Sequence, residues 1–529
     1  MWPGELSKDA HGRLVVVPLV PHSICHTMKQ LLWIALAIFA GAYICNPVGD
    51  PDLWWHITVG RWIIAHGEVP SVDLWNLFSA GAPWRAYSWS VEVLFAAVER
   101  MGGGWGLAAL QLAFALALSL TLFYSLSRLA RDSFMGAILG MYTTVACFNH
   151  FTLRPQSLVW IMFALAIVAA DVVADRGASR KALAALVALG CVWANTHLTA
   201  ILGLGAVFLW SVQDSQHRFQ LRRASAAAGC FFAGTLLTPY FGGEWLTFFS
   251  KGGHPLQYNV IAEFQPATIL QYSTVFVVLM GAILIAAFQG ERAAPPPSRM
   301  ILGAGMTLAG LTAVKFLPFA SIALGAMCAA WWRQSGHQPQ PKGGDHLAEG
   351  LRQMRRGVLS LDPKTVNALT IFVVGMASMH AAPLFKRPIN RDLIPESTVD
   401  FIEQAGLSHP ILNEFGTGGY LMYRFSDRLT GEPGYKVAID GRTNVNPPEV
   451  WELYRASFMG RANWDDYIKK VGPETVLWRQ GSPMTSLLLL SPEWCRVYAS
   501  GSDDESFVVF IKRSEFDRRR GSLSSIDCS

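Results

Sequence analysis

Apolar residues along this chain fall in long blocks, about eleven of them, each of roughly 15–22 residues, the length needed to cross a bilayer. They cover approximately 29–46, 105–126, 134–150, 156–174, 182–196, 198–213, 224–241, 272–289, 300–314, 316–332 and 366–382. Blocks of this length and apolarity predict membrane-crossing helices. Several are short, notably the pair that meets around Asn195-Thr196-His197 and the pair that meets around Lys315. Short spans with polar residues at their junction point to helices that break beside a protein-lined cavity.

Polar positions then set the sidedness. Basic residues cluster on alternate connections: Lys8, Arg13 and Lys29 before the first block, Arg128 and Arg131 after the second, Arg176, Arg180 and Lys181 after the fourth. Arg218, Arg222 and Arg223 follow the sixth, Arg292 and Arg299 lie between the eighth and ninth, and Arg333, Lys342, Arg352, Arg355 and Arg356 precede the last. By the positive-inside rule these connections face the cytoplasm. The expected layout is a cytoplasmic tail over 1–28, a transmembrane domain over 29–382 with a cytoplasmic linker at 333–365, and outer segments at 47–104, 242–271 and 383–529. The first 28 residues lack a compact apolar core followed by a small-residue cleavage site, so the first block is expected to remain as an anchor.

Two outer segments have patterns of their own. In the first, Pro51–His66 reads as a helix capped by Asp50 and stopped at Gly67, and Ser88–Arg100 as a second amphipathic helix, both along the membrane surface. The last, 383–529, alternates short helical and strand-like stretches: helical at Pro395–Ala405, Gly418–Arg424 and Asn463–Val471, strand-like at His409–Asn413, Lys436–Asp440, Thr475–Trp478, Arg496–Ser500 and Phe507–Lys512. That predicts a small α/β domain. The fold class is therefore mainly α: a polytopic helical bundle with surface helices and a C-terminal extracytoplasmic α/β domain.

Composition agrees. Of 529 residues, 52% are hydrophobic and 15% charged, against about a quarter charged in soluble chains. The 19 Trp residues suit a membrane–water boundary. A net charge of +5 fits positive-inside loops and gives no support for nucleic-acid binding. The eight cysteines form no CxxC or Cys/His zinc spacing. Cys495 and Cys528 share one compartment, which leaves a disulfide open.

Candidate chemistry concentrates at the outer connections. Asn46-Pro47-Val48-Gly49-Asp50-Pro51-Asp52-Leu53-Trp54-Trp55-His56 follows the first block directly. On a helix, Asp52 and His56 share a face. The cluster suits a general base or a divalent cation held by Asp50 and Asp52; the alternative is helix capping and dipole compensation. Glu92 and Glu263 are cavity candidates or solvated surface acids. His150, beside Arg154 at the end of the third block, and His197 are further candidates, with a structural histidine as the alternative for His197. Arg154 and Lys315 suit a phosphate, with snorkelling as the alternative. Carboxylates and cations on one face fit a lipid-phosphate ligand entering from the bilayer.

The run Asp50-Pro51-Asp52-Leu53-Trp54-Trp55-His56, with Gly60-Arg61-Trp62, Gly67, Val69-Pro70 and Asp73, resembles the GT-C superfamily of polytopic glycosyltransferases, in a bacterial branch. So do Leu153-Arg154-Pro155-Gln156, Trp193-Ala194-Asn195-Thr196-His197, Asn413-Glu414, Gly418-Gly419-Tyr420-Leu421 and Ile439-Asp440-Gly441-Arg442-Thr443. The resemblance implies a polyprenyl-phosphate-linked sugar donor, an acceptor outside the cytoplasm, inversion at the anomeric carbon, and a bacterial inner-membrane location. It implies Asp52 as the base, Asp50 as its assistant, and Arg154 and Lys315 as donor-phosphate ligands. Metal dependence varies within the superfamily, so a divalent cation stays open. A lipid or polysaccharide transporter and a non-catalytic assembly scaffold remain alternative readings of the same scaffold.

Overall fold

The computed structural model describes residues 4–8, 14–18, 22–250, 261–288, 294–335, 346–503, 505–521 and 528. An antiparallel ladder, β1 (Gly4–Lys8) with β2 (Leu14–Pro18), precedes the helices. These run α1 (His22–Tyr43), α2 (Leu53–His66), α3 (Trp89–Ala130), α4 (Ser133–Val145), α5 (Pro155–Arg176), α6 (Arg180–Thr196) and α7 (Ala200–Ser211). They continue with α8 (Leu221–Thr235), α9 (Gly243–Ser250), α10 (Tyr272–Phe288), α11 (Pro297–Thr312), α12 (Leu317–Ser335), α13 (His346–Leu359) and α14 (Pro363–Lys386).

Each of the eleven apolar blocks lies on a helix. Among the described residues four helices are long and apolar enough to cross a membrane: Trp89–Ala130, Pro155–Arg176, Pro363–Lys386, and α12 with the 3-10 turn before it, Val314–Ser335. The last is almost wholly buried and forms the axis of the bundle, whereas α14 leaves most of its apolar surface exposed, as a helix facing lipid would. Local signals set the boundaries. Asp132 caps α4 by accepting from the Phe134 and Met135 amides, and Asp362 does the same for α14 ahead of Pro363. Gly67 closes α2 in the left-handed region, φ 69°.

Three expectations for the loops change. Helix α2 begins at Leu53, with Asp52 and not Asp50 at the N-cap. The predicted surface helix at Ser88–Arg100 and the second block are one helix, α3, kinked at Gly103 (φ 52°, ψ −140°), because glycine admits that turn without a break in the chain. The predicted linker at 333–365 contains α13, which ties back through an Arg355–Asp132 pair at 2.6 Å; residues 336–345 lie outside the described residues.

The C-terminal region contains α15 (Glu396–Gln404), β3 (Ile411–Asn413), α16 (Phe415–Phe425), α17 (Pro448–Phe458), α18 (Asp466–Val471), β4 (Thr475–Arg479), α19 (Pro483–Leu490), β5 (Trp494–Ala499), β6 (Phe507–Lys512) and α20 (Arg513–Arg518). Its mixed sheet has the order β3-β4-β6-β5, with β3 parallel to β4 and the other pairs antiparallel. Trp451, Tyr454, Tyr467 and Trp478 fill the core beside it. Cys495 and Cys528 are joined by a disulfide.

Lys436–Asp440 is not a strand of that sheet. Its backbone bonds divide between segment 47–104 and the side chain of Asn413: the Val437 amide donates to Trp75 O at 2.9 Å, the Leu77 amide donates to Val437 O at 2.8 Å, the Ala438 amide donates to Asn413 Oδ1 at 3.1 Å, and Asn413 Nδ2 donates to Ile439 O at 2.8 Å. Nearby, the buried Arg442 pairs with Asp440 at 2.8 Å and Asp73 at 2.6 Å, under the Trp84 ring at 4.9 Å. The Ile439-to-Thr443 stretch is thus a clamp between the C-terminal region and the first outer segment. Helix α16 packs on α2 in the same joint: a Cβ at Gly419 would lie 2.8 Å from Pro51 O, and Trp54 meets the Tyr420 and Tyr423 rings at 5.2 and 4.9 Å.

Candidate active site

The site is assembled from the ends of elements. Arg154 precedes Pro155, the first residue of α5, and its extended backbone (φ −130°, ψ 157°) is the conformation a following proline enforces. Its guanidinium meets three carboxylates: Nε with Asp50 Oδ2, Nη1 with Glu263 Oε1, and Nη2 with Asp52 Oδ2 at 3.1 Å. Asp50 also accepts the Asp52 amide through Oδ1 at 2.9 Å. That bond folds the chain between α1 and α2 and aims both acids at α5.

The two aspartates differ. The Asp50 side chain is 3% exposed and that of Asp52 24%, so Asp52 is the more accessible of the two. Although Asp52 is the N-cap of α2, its side chain makes no capping hydrogen bond. It is therefore spent on the site and not on the helix end. Burial pushes its carboxyl up to about 6, against the pull of Arg154 and with a further push from Asp50. Burial also opposes the charge on Arg154, but Asp50 and Asp52 hold its guanidinium above its ordinary value.

Lys315 sits on the 3-10 turn Val314–Phe316, with Nζ 3.5 Å from the Phe264 ring centroid. Among the described residues it pairs with no carboxylate. Its turn is held to the Glu263 turn by the Val314 amide donating to Gln265 O at 3.1 Å and the Ala267 amide donating to Leu311 O at 2.9 Å. Asp50, Arg154, Glu263, Lys315 and His150 line a single cavity of about 590 Å³ with Trp160, within the usual range for ligand pockets, about 300–1,000 Å³. Asp52 stands at its edge, reached through Arg154.

The remaining candidates lie elsewhere. His56 Nδ1 and Glu92 Oε1 are 3.1 Å apart in a buried pair that joins α2 to α3 and does not line the cavity. Burial, then the nearby arginines, lowers the His56 imidazole. His197 bonds Thr199 Oγ1 at 3.1 Å and lines a separate crevice of about 10 Å³; burial takes it to about 3. Both histidines have structural surroundings. Among the described residues no three His, Cys, Asp or Glu side chains are grouped for a metal ion; Asp50, Asp52 and Glu263 are gathered on Arg154.

Gly441, singled out in the sequence only within the Ile439-to-Thr443 run, lies against Asp52: a Cβ there would fall 1.8 Å from Asp52 Oδ1. The Asp-Gly pair at 440–441 signals a turn, and only the fold brings it to Asp52.

No protein-family profile matches the chain, and no curated protein matches it in sequence. Solved structures do resemble it. The archaeal oligosaccharyltransferase AglB from Archaeoglobus fulgidus, in complex with an inhibitory peptide and a dolichol-phosphate, aligns over 92% of this chain and 74% of its own at 9% identity and TM-score 0.52. The apo form of the Archaeoglobus fulgidus oligosaccharyltransferase aligns over 85% and 69% at 10% identity and TM-score 0.50. ArnT from Cupriavidus metallidurans aligns over 92% and 98% at 14% identity and TM-score 0.48. At these identities the likeness is one of fold: the chain shares the overall fold of the two Archaeoglobus fulgidus structures.

Proposed function

We propose that this protein is an inverting membrane glycosyltransferase that moves a sugar from a polyprenyl-phosphate-linked donor to an acceptor hydroxyl at the extracytoplasmic face. The observation that carries the proposal is the convergence of Asp50, Asp52 and Glu263 on Arg154, which with Lys315 lines one cavity at the starts of α5 and α12. The dolichol-phosphate bound by the archaeal relative supports a lipid-phosphate donor.

In this reading the donor phosphate takes up Arg154 and Lys315, and the guanidinium exchanges carboxylate partners for phosphate oxygens. Asp52 then loses part of its counter-charge and becomes a stronger base. It accepts the proton of the acceptor hydroxyl as the acceptor oxygen bonds to the anomeric carbon from the face opposite the phosphate. The bond between that carbon and the phosphate oxygen breaks, and polyprenyl phosphate leaves with the electron pair, its charge met by the two cations. Asp50, buried and bonded to the Asp52 amide, positions the base.

The test is transfer of radiolabel from a panel of polyprenyl-phosphate sugars into an extracted membrane fraction by the purified protein. Product from one donor supports the proposal. Saturable donor translocation without transfer would replace it with the transporter reading.

A further inference from the structure

The far ends of the same helices hold a second cavity. Helix α5 has 22 residues, so its ends lie about 33 Å apart, matching a hydrocarbon core of about 30 Å. Arg154 starts α5. At the other end, Asp171, Asp175 and Arg176 line a cavity of about 380 Å³ with Arg128, Arg131 and Arg333.

The acids in that cavity are already engaged. Asp171 pairs with Arg333 at 2.8 Å and with the fully buried Arg299 at 3.3 Å, and accepts the Trp210 indole N–H at 3.2 Å. Asp175 lies 3.5 Å from Arg333 and accepts the Ser215 amide at 3.0 Å. Two carboxylates thus balance Arg299 and Arg333. Arg128, Arg131 and Arg176 form the rim, and none of them pairs with a carboxylate among the described residues. Arg131 closes α3 at φ 55°, a left-handed position where glycine or asparagine costs least. An arginine there keeps a third guanidinium at the rim. Valines 168 and 172 of α5 line the same cavity and provide an apolar wall beside the charges.

We propose that this pocket binds the phosphate of an anionic phospholipid head group, with Arg128, Arg131 and Arg176 as its ligands and Arg333 as the buried floor. A basic pocket between helix ends, one bilayer thickness from the opposite face and walled by apolar side chains, fits a lipid phosphate better than a soluble one.

The test uses the full-length purified protein in detergent, with phosphatidylglycerol, phosphatidylcholine of the same chains, and inorganic phosphate as probes. Binding is read by native mass spectrometry and thermal shift. The wild type is expected to retain one phosphatidylglycerol and to bind it at least about tenfold more tightly than phosphatidylcholine, with no response to millimolar phosphate. The variant Arg128→Gln/Arg131→Asn/Arg176→Gln is expected to lose that preference. Arg180→Gln/Lys181→Gln/Arg222→Gln removes three charges from neighbouring connections, outside the pocket lining, and is expected to keep it. Equal loss in both variants would overturn the pocket in favour of diffuse surface attraction. A response to inorganic phosphate equal to that with phosphatidylglycerol would overturn the lipid. The wild-type comparison of the two lipids decides the matter even if a variant fails to fold.

Discussion

Substituting Gly441 by alanine tests whether Asp52 is held in place for chemistry. The added Cβ would lie 1.8 Å from Asp52 Oδ1, 2.9 Å from its Cγ and 3.3 Å from the Trp55 indole nitrogen. Carbon atoms at this position do not approach closer than 3.0 Å, so the carboxylate must retreat by at least 1.2 Å, the difference between the two distances. That retreat also stretches the 3.1 Å contact to Arg154. A misplacement of about 1 Å typically costs about 100-fold in rate. The clash falls on the end of a side chain and Gly441 has no positive φ, so the fold accommodates it and the thermal midpoint stays close to wild type. Gly416→Ala is the control: a Cβ there meets nothing within 4 Å, and alanine in a helix is favoured over glycine by about 1 kcal/mol. The assay is kcat/KM for sugar transfer with melting curves on the same preparations. Gly441→Ala at full activity and unchanged stability would refute the placement of Asp52 as base.

Because Asp52 must be ionised to accept a proton and burial pushes its carboxyl up to about 6, transfer should be flat above neutrality and fall on acidification, by about tenfold at pH 5; a profile flat down to pH 5 would count against it. Arg154→Gln should lower kcat/KM by about 100- to 1,000-fold, as removal of a charge-stabilising donor does, and should shift the acidic limb upward, since Asp52 loses the cation that lowers it. Arg442→Met leaves Asp73 and Asp440 buried without their partner, and should destabilise the protein by about 3–5 kcal/mol, read as loss of the folded fraction in thermal melts.

The bundle was legible because continuous apolarity over a bilayer's width is a strong signal: every block from 29–46 to 366–382 became a helix. Loop parity put Asp50, Asp52, Arg154, Glu263 and Lys315 on one expected face; the fold brings Asp50, Arg154, Glu263 and Lys315 to one cavity, with Asp52 paired to Arg154 at its edge. Helices α17 and α19 were missed although both begin at proline, and Ser482 caps α19. Their start signals were present, but short amphipathic turns resemble loops in a single sequence. His56, Glu92 and His197 share the outer connections with the site, and only packing shows them engaged elsewhere. The helix expected at Gly418–Arg424 is part of α16, but its glycines gave no sign that Gly418 would lie against Ile439 O and Gly419 against Pro51 O. Close approach between segments more than 300 residues apart leaves no local trace. The same holds for Gly441 beside Asp52, and for Lys436–Asp440, whose backbone bonds go to Trp75, Leu77 and the Asn413 side chain and not to a sheet ladder.

The central claim is that Asp52 is the base of a sugar transfer. The most direct measurement compares wild type with Asp52→Asn at matched expression, using the donor that the radiolabelled panel identifies. The expected result is a melting midpoint unchanged within a few degrees, retained donor binding and no detectable transfer. Transfer by Asp52→Asn at a substantial fraction of the wild-type rate would contradict it.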